Sequence, residues 1–217
     1  MVAQAERLRE AVVETSQGHC ERSRAGRVSR LVAGAPRTST IVSGPGPTVV
    51  EVRGRAMLAG VDRIEVAGRV FDVRRAVVDD VPGLAALLAD DVLGATRESG
   101  DLVAYERAFA AIDADPAHLL LAVRDDTGAL VATMQLTLLP GLARGGATRL
   151  QVEAVRLAAR ARGGGLGSAL FAWAHAWGAE RGAVLSQLTT DRSRVDAHRF
   201  YERLGYAPSH TGFKRPL

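Results

Sequence analysis

The chain has 217 residues, 47% of them hydrophobic, which is enough for one globular domain of ordinary size with an appendage. No apolar run reaches the roughly 18 residues that span a bilayer, and the charged N-terminus lacks the hydrophobic region of a signal peptide. The single cysteine, Cys20, excludes an intrachain disulfide and a cysteine-rich metal site, so we expect a cytoplasmic protein with no metal and no membrane partner.

The positive charge is concentrated near the N-terminus. Residues 1–70 hold 11 of the 28 basic residues and 7 of the 24 acidic ones, which leaves 17 of each in residues 71–217. The larger part of the chain is therefore neutral, and it lacks the basic surface that attracts nucleic acids. We expect no nucleic-acid partner.

Residues 1–56 differ in character from the rest of the chain. A helical stretch at residues 5–14 is followed by clusters of Gly, Ser, Thr and Pro, a composition typical of a poorly ordered or appended extension. Continuous strand and helix signals begin near Ile64. We therefore predict an extension over residues 1–56, or sequence upstream of a true start at Met57, and one domain over residues 57–217.

The pattern in the first half of this domain predicts one strand, then two helices, then two strands. A strand at residues 70–75 precedes a helix at 81–93, whose start is marked by Asp80 and Pro82. A second helix at 102–112 leads into strands at 119–123 and 130–139, with turn residues at Asp126-Thr127-Gly128 between them.

The next strand, at residues 150–157, changes phase. Leu150, Val152 and Ala154 alternate with polar residues, and Val155 and Leu157 then continue the alternation one position out of step. Two adjacent apolar positions in an alternating strand predict a β-bulge at Ala154-Val155 or a change of buried face, and bulges often border active sites.

A glycine-rich run, Arg162-Gly163-Gly164-Gly165-Leu166-Gly167-Ser168, separates that strand from a helix at residues 166–179. Glycines let the backbone turn sharply and approach a ligand, and the N-terminus of the following helix attracts an anion. Each helix-end effect contributes only about 0.3–1 kcal/mol, so several donors must converge on a multiply charged group such as a pyrophosphate.

The last elements are a strand at residues 183–189, a helix and a short strand. Ser193-Arg194-Val195-Asp196 predicts a capping box at the start of the helix, which stops at Gly205. A final strand is expected through Phe213. Trp173 and Trp177 are interpreted as core residues, and His198 as a residue that caps or packs locally.

Three segments together resemble the GNAT N-acetyltransferase superfamily over about residues 70–217. They are Val155-Arg156-Leu157, the glycine-rich run and Asp196-Ala197-His198-Arg199-Phe200-Tyr201-Glu202-Arg203-Leu204-Gly205-Tyr206. The last segment, with the C-terminal Ser209-His210, is also similar to aminoalkylphosphonate acetyltransferases. The resemblance implies an α/β (α+β) fold with a mixed central sheet of about six or seven strands, splayed between the fourth and fifth, and about four flanking helices.

The resemblance also implies a cosubstrate, acetyl-CoA, in the gap between the splayed strands. Backbone groups at Val155 and Leu157 would contact the acetyl and pantetheine portions, and the glycine-rich run would hold the pyrophosphate. The full set of predicted cofactor-binding residues is Val155, Arg156, Leu157, Arg162, Gly163, Gly164, Gly165, Leu166, Gly167, Ser168 and Asp196.

Two residues are candidates for the chemistry. Deprotonating a primary amine at pH 7 costs roughly 4–5 kcal/mol, so a general base is useful, and Glu153 beside the expected bulge is our candidate. Tyr201 matches the family's tyrosine near the cofactor sulfur and would protonate the departing thiolate. An amine acceptor, more readily that of a small molecule than a protein terminus, would attack the thioester directly in a ternary complex.

We compared other functions with this one. A dinucleotide-binding oxidoreductase does not fit, because the run lacks the Gly-x-Gly-x-x-Gly order, and no Gly-Lys-Ser or Gly-Lys-Thr of a P-loop occurs. A catalytically silent CoA-binding regulatory module and a protein N-acetyltransferase remain alternatives. Residues 94–101 and 140–147 would shape the acceptor site, the family also allows a homodimer, and the sequence does not identify the acceptor.

Overall fold

The computed structural model of the chain describes residues 60–90, 98 and 100–217, together with the backbone of residues 38–42 and 49–53. Strands β1 (Thr38–Val42) and β2 (Val49–Arg53) form an antiparallel hairpin within the predicted extension. The predicted helix at residues 5–14, and most of the acceptor-shaping segment at 94–101, lie outside the described residues.

From residue 60 onward the described chain forms one mixed sheet with helices on both faces. The six strands of this sheet are β3 (Val61–Val66), β4 (Arg69–Arg75), β5 (His118–Arg124), β6 (Leu130–Pro140), β7 (Thr148–Leu157) and β8 (Ala183–Leu188). The main helices in the described residues are α1 (Val81–Ala89), α2 (Leu102–Ala114), α3 (Leu166–Glu180) and α4 (Val195–Arg203).

The strands lie in sequence order across the sheet, β3-β4-β5-β6-β7-β8. Neighbours from β3 to β7 are antiparallel, whereas β7 and β8 are parallel because α3 connects them as a crossover. The predicted mixed sheet with flanking helices is confirmed. β7 and β8 are the fourth and fifth strands when β4 is counted as the first.

Strand β3 was not predicted, although its pattern is regular. Its residues alternate between exposed and buried, with Asp62, Ile64 and Val66 facing inward. Ala67 and Gly68, with φ of 52° and 72°, form the tight turn to β4, which is the left-handed geometry of a two-residue hairpin. The buried carboxylate Asp62 obscured the apolar alternation, but it accepts a 2.9 Å hydrogen bond from the indole N–H of Trp173.

The two faces of the sheet carry different helices. Helix α3 covers one face, where its apolar side chains pack with Leu121, Leu136 and Val152 in the main core. Helices α1 and α2 cover the other face in a smaller cluster around Leu84 and Ala122. Trp173 and Trp177 are both buried, which confirms that they are core residues.

Glycine allows α3 to lie close to the sheet. A Cβ at Gly178 would come within 2.8 Å of Leu150 Cδ2, so any larger residue would push the helix away from β7. Gly178 therefore sets the distance between α3 and the strand that carries the predicted site.

Some predicted elements differ from the structure. Residues 204–217 contain no strand, so the expected final strand is wrong and β8 has no partner on its outer edge among the described residues. Helix α1 ends at Ala89, short of residue 93, and α2 extends to Ala114. Asp125, just before the predicted turn residues, organises the β5–β6 hairpin by accepting hydrogen bonds from Thr127 and Ala129.

The start of α4 is also different. Ser193 does not cap the helix, because its N–H and hydroxyl both donate to Asp191 Oδ1 in the preceding turn. Arg194 occupies the N-cap position without a side-chain hydrogen bond to the helix. The expected capping box is therefore wrong.

A buried ion cluster joins α1 to the sheet. Asp80, directly before α1, accepts hydrogen bonds from Arg74 at 2.7 Å through both carboxylate oxygens and from Arg124 at 2.7 Å. The Val77 N–H donates to the same carboxylate at 2.8 Å. Burial alone would raise the pKa of Asp80, but these hydrogen bonds outweigh it, and the pKa is lowered.

Replacing Asp80 by Asn should destabilise the fold strongly. The substitution leaves two arginines in a buried site without their counter-charge, at a cost of about 3–5 kcal/mol in the free energy of unfolding. Because the folded pKa lies below the unfolded value, the stabilisation is present at pH 7 and is lost as pH falls below about 4. Urea unfolding at pH 7 and at acid pH measures both effects.

The exposed neighbour Asp79 provides the control. Asp79→Asn should change the free energy of unfolding by less than about 0.5 kcal/mol. Equal effects of the two substitutions at pH 7 would contradict the role assigned to the cluster.

Candidate active site

The gap between β7 and β8 opens in the middle of β7. Parallel pairing runs from Thr148 and Ala183 to Val152 and Leu188 and stops there. Residues 153–157 of β7 remain paired with β6 only. On the side of β8, the backbone of this half of β7 therefore has no strand partner among the described residues, and its Val155 and Leu157 carbonyls accept hydrogen bonds from arginine side chains instead.

The predicted bulge lies where the gap opens. Gln135 pairs with Glu153 and Thr133 pairs with Arg156, so two residues of β7, Ala154 and Val155, lie opposite Met134 alone. Ala154 has φ of 51°, the left-handed conformation that a bulge imposes on one residue. The prediction of a bulge at Ala154-Val155 is confirmed.

The bulge determines which side chains lie on each face. Val152 before it and Val155 and Leu157 after it all pack toward the core under α3. Glu153 and Arg156 pair across the sheet with Gln135 and Thr133, on the face that carries α1. Glu153 is exposed on this face.

The glycine-rich run forms a sharp turn into α3. Gly163 and Gly165 have φ of 79° and 85°, and Gly165 occupies the N-cap position of the helix. Nothing lies within 4 Å of the position of a Cβ at Gly163 or Gly164, so the outer side of the turn is open. The first N–H groups of α3 point out of the helix end beside this open turn.

Two glycines of the run are also required by packing. A Cβ at Gly165 would lie 3.0 Å from Val66 Cγ2, and one at Gly167 would lie 3.3 Å from Phe200 Cζ. Gly167 thereby allows α4 to lie against the start of α3. Leu166 is buried in the core, so only its backbone faces the turn, whereas Ser168 is half-buried in the first helical turn.

Two predicted arginines hold the backbone near the gap. Arg162 donates from Nε to the Leu157 carbonyl at 2.9 Å, and its guanidinium lies 4.0 Å from the Asp90 carboxylate. Arg156 donates from Nη1 to the Val155 carbonyl at 2.8 Å. These contacts fix the open half of β7 and place positive charge beside it.

Tyr201 lies in an aromatic cluster on the α3 side of the gap. Its ring makes edge contacts with Phe171, Phe200 and Tyr206, with ring centroids 5.5–6.0 Å apart. Burial raises the pKa of the Tyr201 phenol, and the nearby guanidinium groups of Arg194 and Arg156 oppose that rise. Tyr201 is therefore protonated at neutral pH.

His198 and Asp196, both on α4, make contacts within their own segment. His198 donates a hydrogen bond from Nε2 to the Asp191 carbonyl oxygen at 2.9 Å, which confirms its local interpretation. Asp196 has an almost fully exposed side chain 3.6 Å from Arg199, so its predicted contact with the cofactor stays a prediction.

The structure adds a hydrogen-bonded group that the sequence analysis missed. The Tyr206 hydroxyl bridges His175 Nε2 on α3 at 2.8 Å and Ser186 Oγ on β8 at 2.6 Å. Burial lowers the pKa of His175 and raises that of Tyr206, although the Ser186 hydrogen bond partly offsets the rise for Tyr206. The available signal in the sequence was His175, which interrupts the otherwise apolar stretch at residues 169–179 of α3.

No helix in the described ranges combines the length and apolar character needed to cross a membrane. The same part of the chain holds no group of three or more His, Cys, Asp or Glu side chains arranged for a metal ion.

Comparison with known proteins identifies the family of this fold and site. The model of the acetyltransferase (GNAT) family matches residues 86–206, which is more than half of the chain. The chain belongs to the GNAT acetyltransferase family. It is an acyltransferase whose family uses acetyl-CoA as cosubstrate.

Individual relatives cover the same part of this GNAT acetyltransferase. An aminoalkylphosphonate N-acetyltransferase of Salmonella typhimurium is 32% identical over 151 residues, 68% of this chain and 92% of the relative. A crystal structure of a transcriptional regulator from Bacillus halodurans C-125 shares 41% identity with a TM-score of 0.65, over 68% of this chain and 99% of that one. Glucosamine-6-phosphate N-acetyltransferase from Arabidopsis thaliana, at 20% identity and a TM-score of 0.58 over 68% and 98% of the two chains, supports the fold alone.

Replacing Gly165 by Ala should destabilise the fold and distort the turn into α3. The residue has a positive φ, and the new Cβ would meet Val66, so we expect a loss of about 1–3 kcal/mol in the free energy of unfolding. Gly164→Ala is the matched control, because Gly164 has open space and no positive φ. Thermal unfolding of the two variants measures the difference, and equal melting temperatures would contradict this description of the turn.

Proposed function

We propose that this GNAT enzyme transfers the acetyl group of acetyl-CoA to an amine of a small molecule, by direct attack of the amine in a ternary complex. Glu153 is the general base and Tyr201 the general acid. One observation carries the proposal. Beyond Val152 the strand β7 separates from β8 at a bulge, with Glu153 on one face of the strand and Tyr201 packed on the other side.

The residues along the gap fit acetyl-CoA. The open edge of residues 153–157 offers backbone groups to an extended chain, and the turn at Gly163–Gly165 with the N-terminus of α3 suits a pyrophosphate. Arg162, Ser168 and Asp196 complete the predicted binding set around the turn and α4. Acetyl-CoA supplies the thioester from which the acetyl group is transferred.

Glu153 has the properties that the base requires. Its side chain is exposed on the face of the sheet away from α3, so an acceptor can reach it directly or through a water molecule. Accepting a proton from the substrate ammonium supplies the free amine, a step that otherwise costs roughly 4–5 kcal/mol at pH 7. The backbone N–H groups near Val155 would polarise the acyl carbonyl.

Tyr201 is suited to the opposite task. Its raised pKa keeps the phenol protonated, so it can donate a proton to the thiolate that leaves. The reference pKa values of about 10 for a phenol and about 8.5 for a thiol make this transfer uphill, and burial raises the pKa of Tyr201 further, while Arg194 and Arg156 oppose part of that rise by stabilising the phenolate. The acid and the base therefore act from opposite sides of β7.

The choice of a small-molecule amine is supported by the Salmonella relative, which by its name acetylates aminoalkylphosphonates. A protein amine is the alternative acceptor. The similarity to a protein called a transcriptional regulator keeps a catalytically silent CoA-binding module as a second candidate, and the following variants separate it from an enzyme.

Substituting the two catalytic candidates separately should slow turnover without removing the cofactor. We expect Glu153→Gln and Tyr201→Phe each to lower kcat by about 100-fold, with acetyl-CoA affinity unchanged. A free-thiol assay over a panel of amines measures turnover, and calorimetry measures binding. Because burial raises the pKa of Tyr201, loss of its proton should not reduce the wild-type rate up to about pH 9.

The exposed Glu202 on α4 provides a control, because Glu202→Gln removes a carboxylate without touching β7. Normal turnover by both Glu153→Gln and Tyr201→Phe would refute the mechanism. Binding of acetyl-CoA by a wild-type protein that acetylates no amine would favour the silent module.

We further propose that residues 57–217 are the catalytic domain and that residues 1–56 are an appended extension. The relatives support this division. Almost all of their own length is matched, yet they match only about two thirds of this chain, so this chain has residues that these relatives lack. A protein beginning at Met57, which lacks the β1–β2 hairpin, should bind acetyl-CoA as tightly as the full chain. Calorimetry tests this, with an adenine dinucleotide as the non-binding control, and a folded truncated protein that fails to bind would contradict the division.

A further inference from the structure

A row of polar side chains crosses the sheet beside the proposed base. His118, Thr137, Gln151 and Gln187 are direct cross-strand neighbours on β5, β6, β7 and β8. Thr137 Oγ1 and His118 Nδ1 are 2.9 Å apart, and Gln187 Nε2 donates to Gln151 Oε1 at 2.7 Å. The row lies on the face away from α3, where the acceptor must approach Glu153.

Arg149 lies at the β8 side of this row. It is on the same face of β7 as Gln151 and Glu153, because the intervening Leu150 and Val152 are buried in the core. Its Nη1 donates to Gln187 Oε1 at 3.2 Å. The residue is half-buried, yet within the described part of the chain no carboxylate comes within ion-pair distance of it.

This absence of a counter-charge distinguishes Arg149 from Arg74 and Arg124, two other partly buried arginines of the sheet. Arg74 and Arg124 both pair with Asp80. Removing a cation from water without a partner is unfavourable, so a half-buried guanidinium on an acceptor-facing surface favours an anion from outside the chain.

The orientation of the amides strengthens this conclusion. Since Arg149 can only donate, the Gln187 atom that it contacts is the carbonyl oxygen, and the Gln187 amide nitrogen is then the donor to Gln151. Gln151 accepts through its oxygen, so its NH₂ group takes no part in this hydrogen bond. Arg149 and Gln151 therefore both present donors, a combination that suits the oxygens of an anion.

We propose that Arg149 and Gln151 form an anion subsite for the acceptor, so that the substrate is a small amine carrying a carboxylate, phosphonate or phosphate at its other end. This proposal rests on the proposed function, which places the amine at Glu153. Glu153 and Arg149 are four residues apart, about 13 Å between Cα atoms along the strand, and Gln151 lies between them. Because both side chains stand on the same face and are long, they can reach the two ends of an acceptor in which only a few bonds separate the amine from the anion.

The test compares acceptors that differ in their far end. We expect the wild-type enzyme to acetylate 2-aminoethylphosphonate or β-alanine with a lower KM than the neutral 2-methoxyethylamine. Arg149→Gln should raise the KM of the two anionic amines by about 10- to 100-fold and leave those of the neutral amine and acetyl-CoA unchanged. Arg149→Lys should restore part of the loss, because it retains a positive charge.

The two anionic amines distinguish the kind of anion, since the one with the lower KM in the wild type and the larger loss in Arg149→Gln identifies the natural group. The exposed Arg63, which pairs with Asp72 on the surface, supplies the control Arg63→Gln, for which no KM should change. Equal KM values for anionic and neutral amines in the wild type, or an equal change for both in Arg149→Gln, would overturn the subsite.

Binding of the same amines with CoA present, measured by calorimetry, separates this proposal from the proposed function. Binding of an anionic amine that is lost in Arg149→Gln supports the subsite even if no acetyl transfer occurs, in which case only the proposed function fails. If neither anionic amine binds more tightly than the neutral one, the subsite fails whether or not amines are acetylated.

Discussion

The bulge at Ala154-Val155 is the local feature on which the site depends. It changes which side chains of β7 face the core at the point where pairing with β8 ends. The two halves of β7 therefore differ in their surroundings. Before the bulge β7 is an interior strand of the sheet, and after it one edge of the backbone is open. Unpaired backbone groups are unfavourable in a folded protein, which is why we propose that this edge contacts the cosubstrate. The same change of phase leaves Glu153 and Arg156 on the acceptor side while Val155 and Leu157 remain against the core.

Close packing positions the helices α3 and α4 beside this gap. Gly178 allows α3 to contact Leu150 on β7, and Gly167 allows Phe200 of α4 to contact the start of α3. Tyr201 is then oriented by the edges of neighbouring aromatic rings, and Tyr206 joins the end of α4 to both α3 and β8. Because ring packing positions the Tyr201 side chain, its hydroxyl is available for the proton transfer that we propose for it.

Charge is used differently at two places on the sheet. Around Asp80 the buried charges are matched, and the cluster connects β4, β5 and the start of α1. At Arg149 a half-buried charge has an amide partner and no carboxylate in the described part of the chain. The first arrangement stabilises the fold. The second is unfavourable for the protein alone and becomes favourable when an anionic acceptor supplies the missing charge, which is the basis of the proposed subsite.

The sequence by itself determined the features that depend on neighbouring residues. The phase change predicted the bulge, the glycine-rich run predicted the turn into α3, and the spacing to Tyr201 indicated the family. Tertiary structure alone decided features that need partners distant in the chain. Strand β3 has its buried carboxylate because Trp173, far along the chain, donates to it, and Ser193 does not cap α4 because Asp191 takes its hydrogen bonds. The row from His118 to Gln187 and the Tyr206 contacts arise only when strands and helices far apart in sequence meet, because cross-strand neighbours are set by sheet register and not by local pattern.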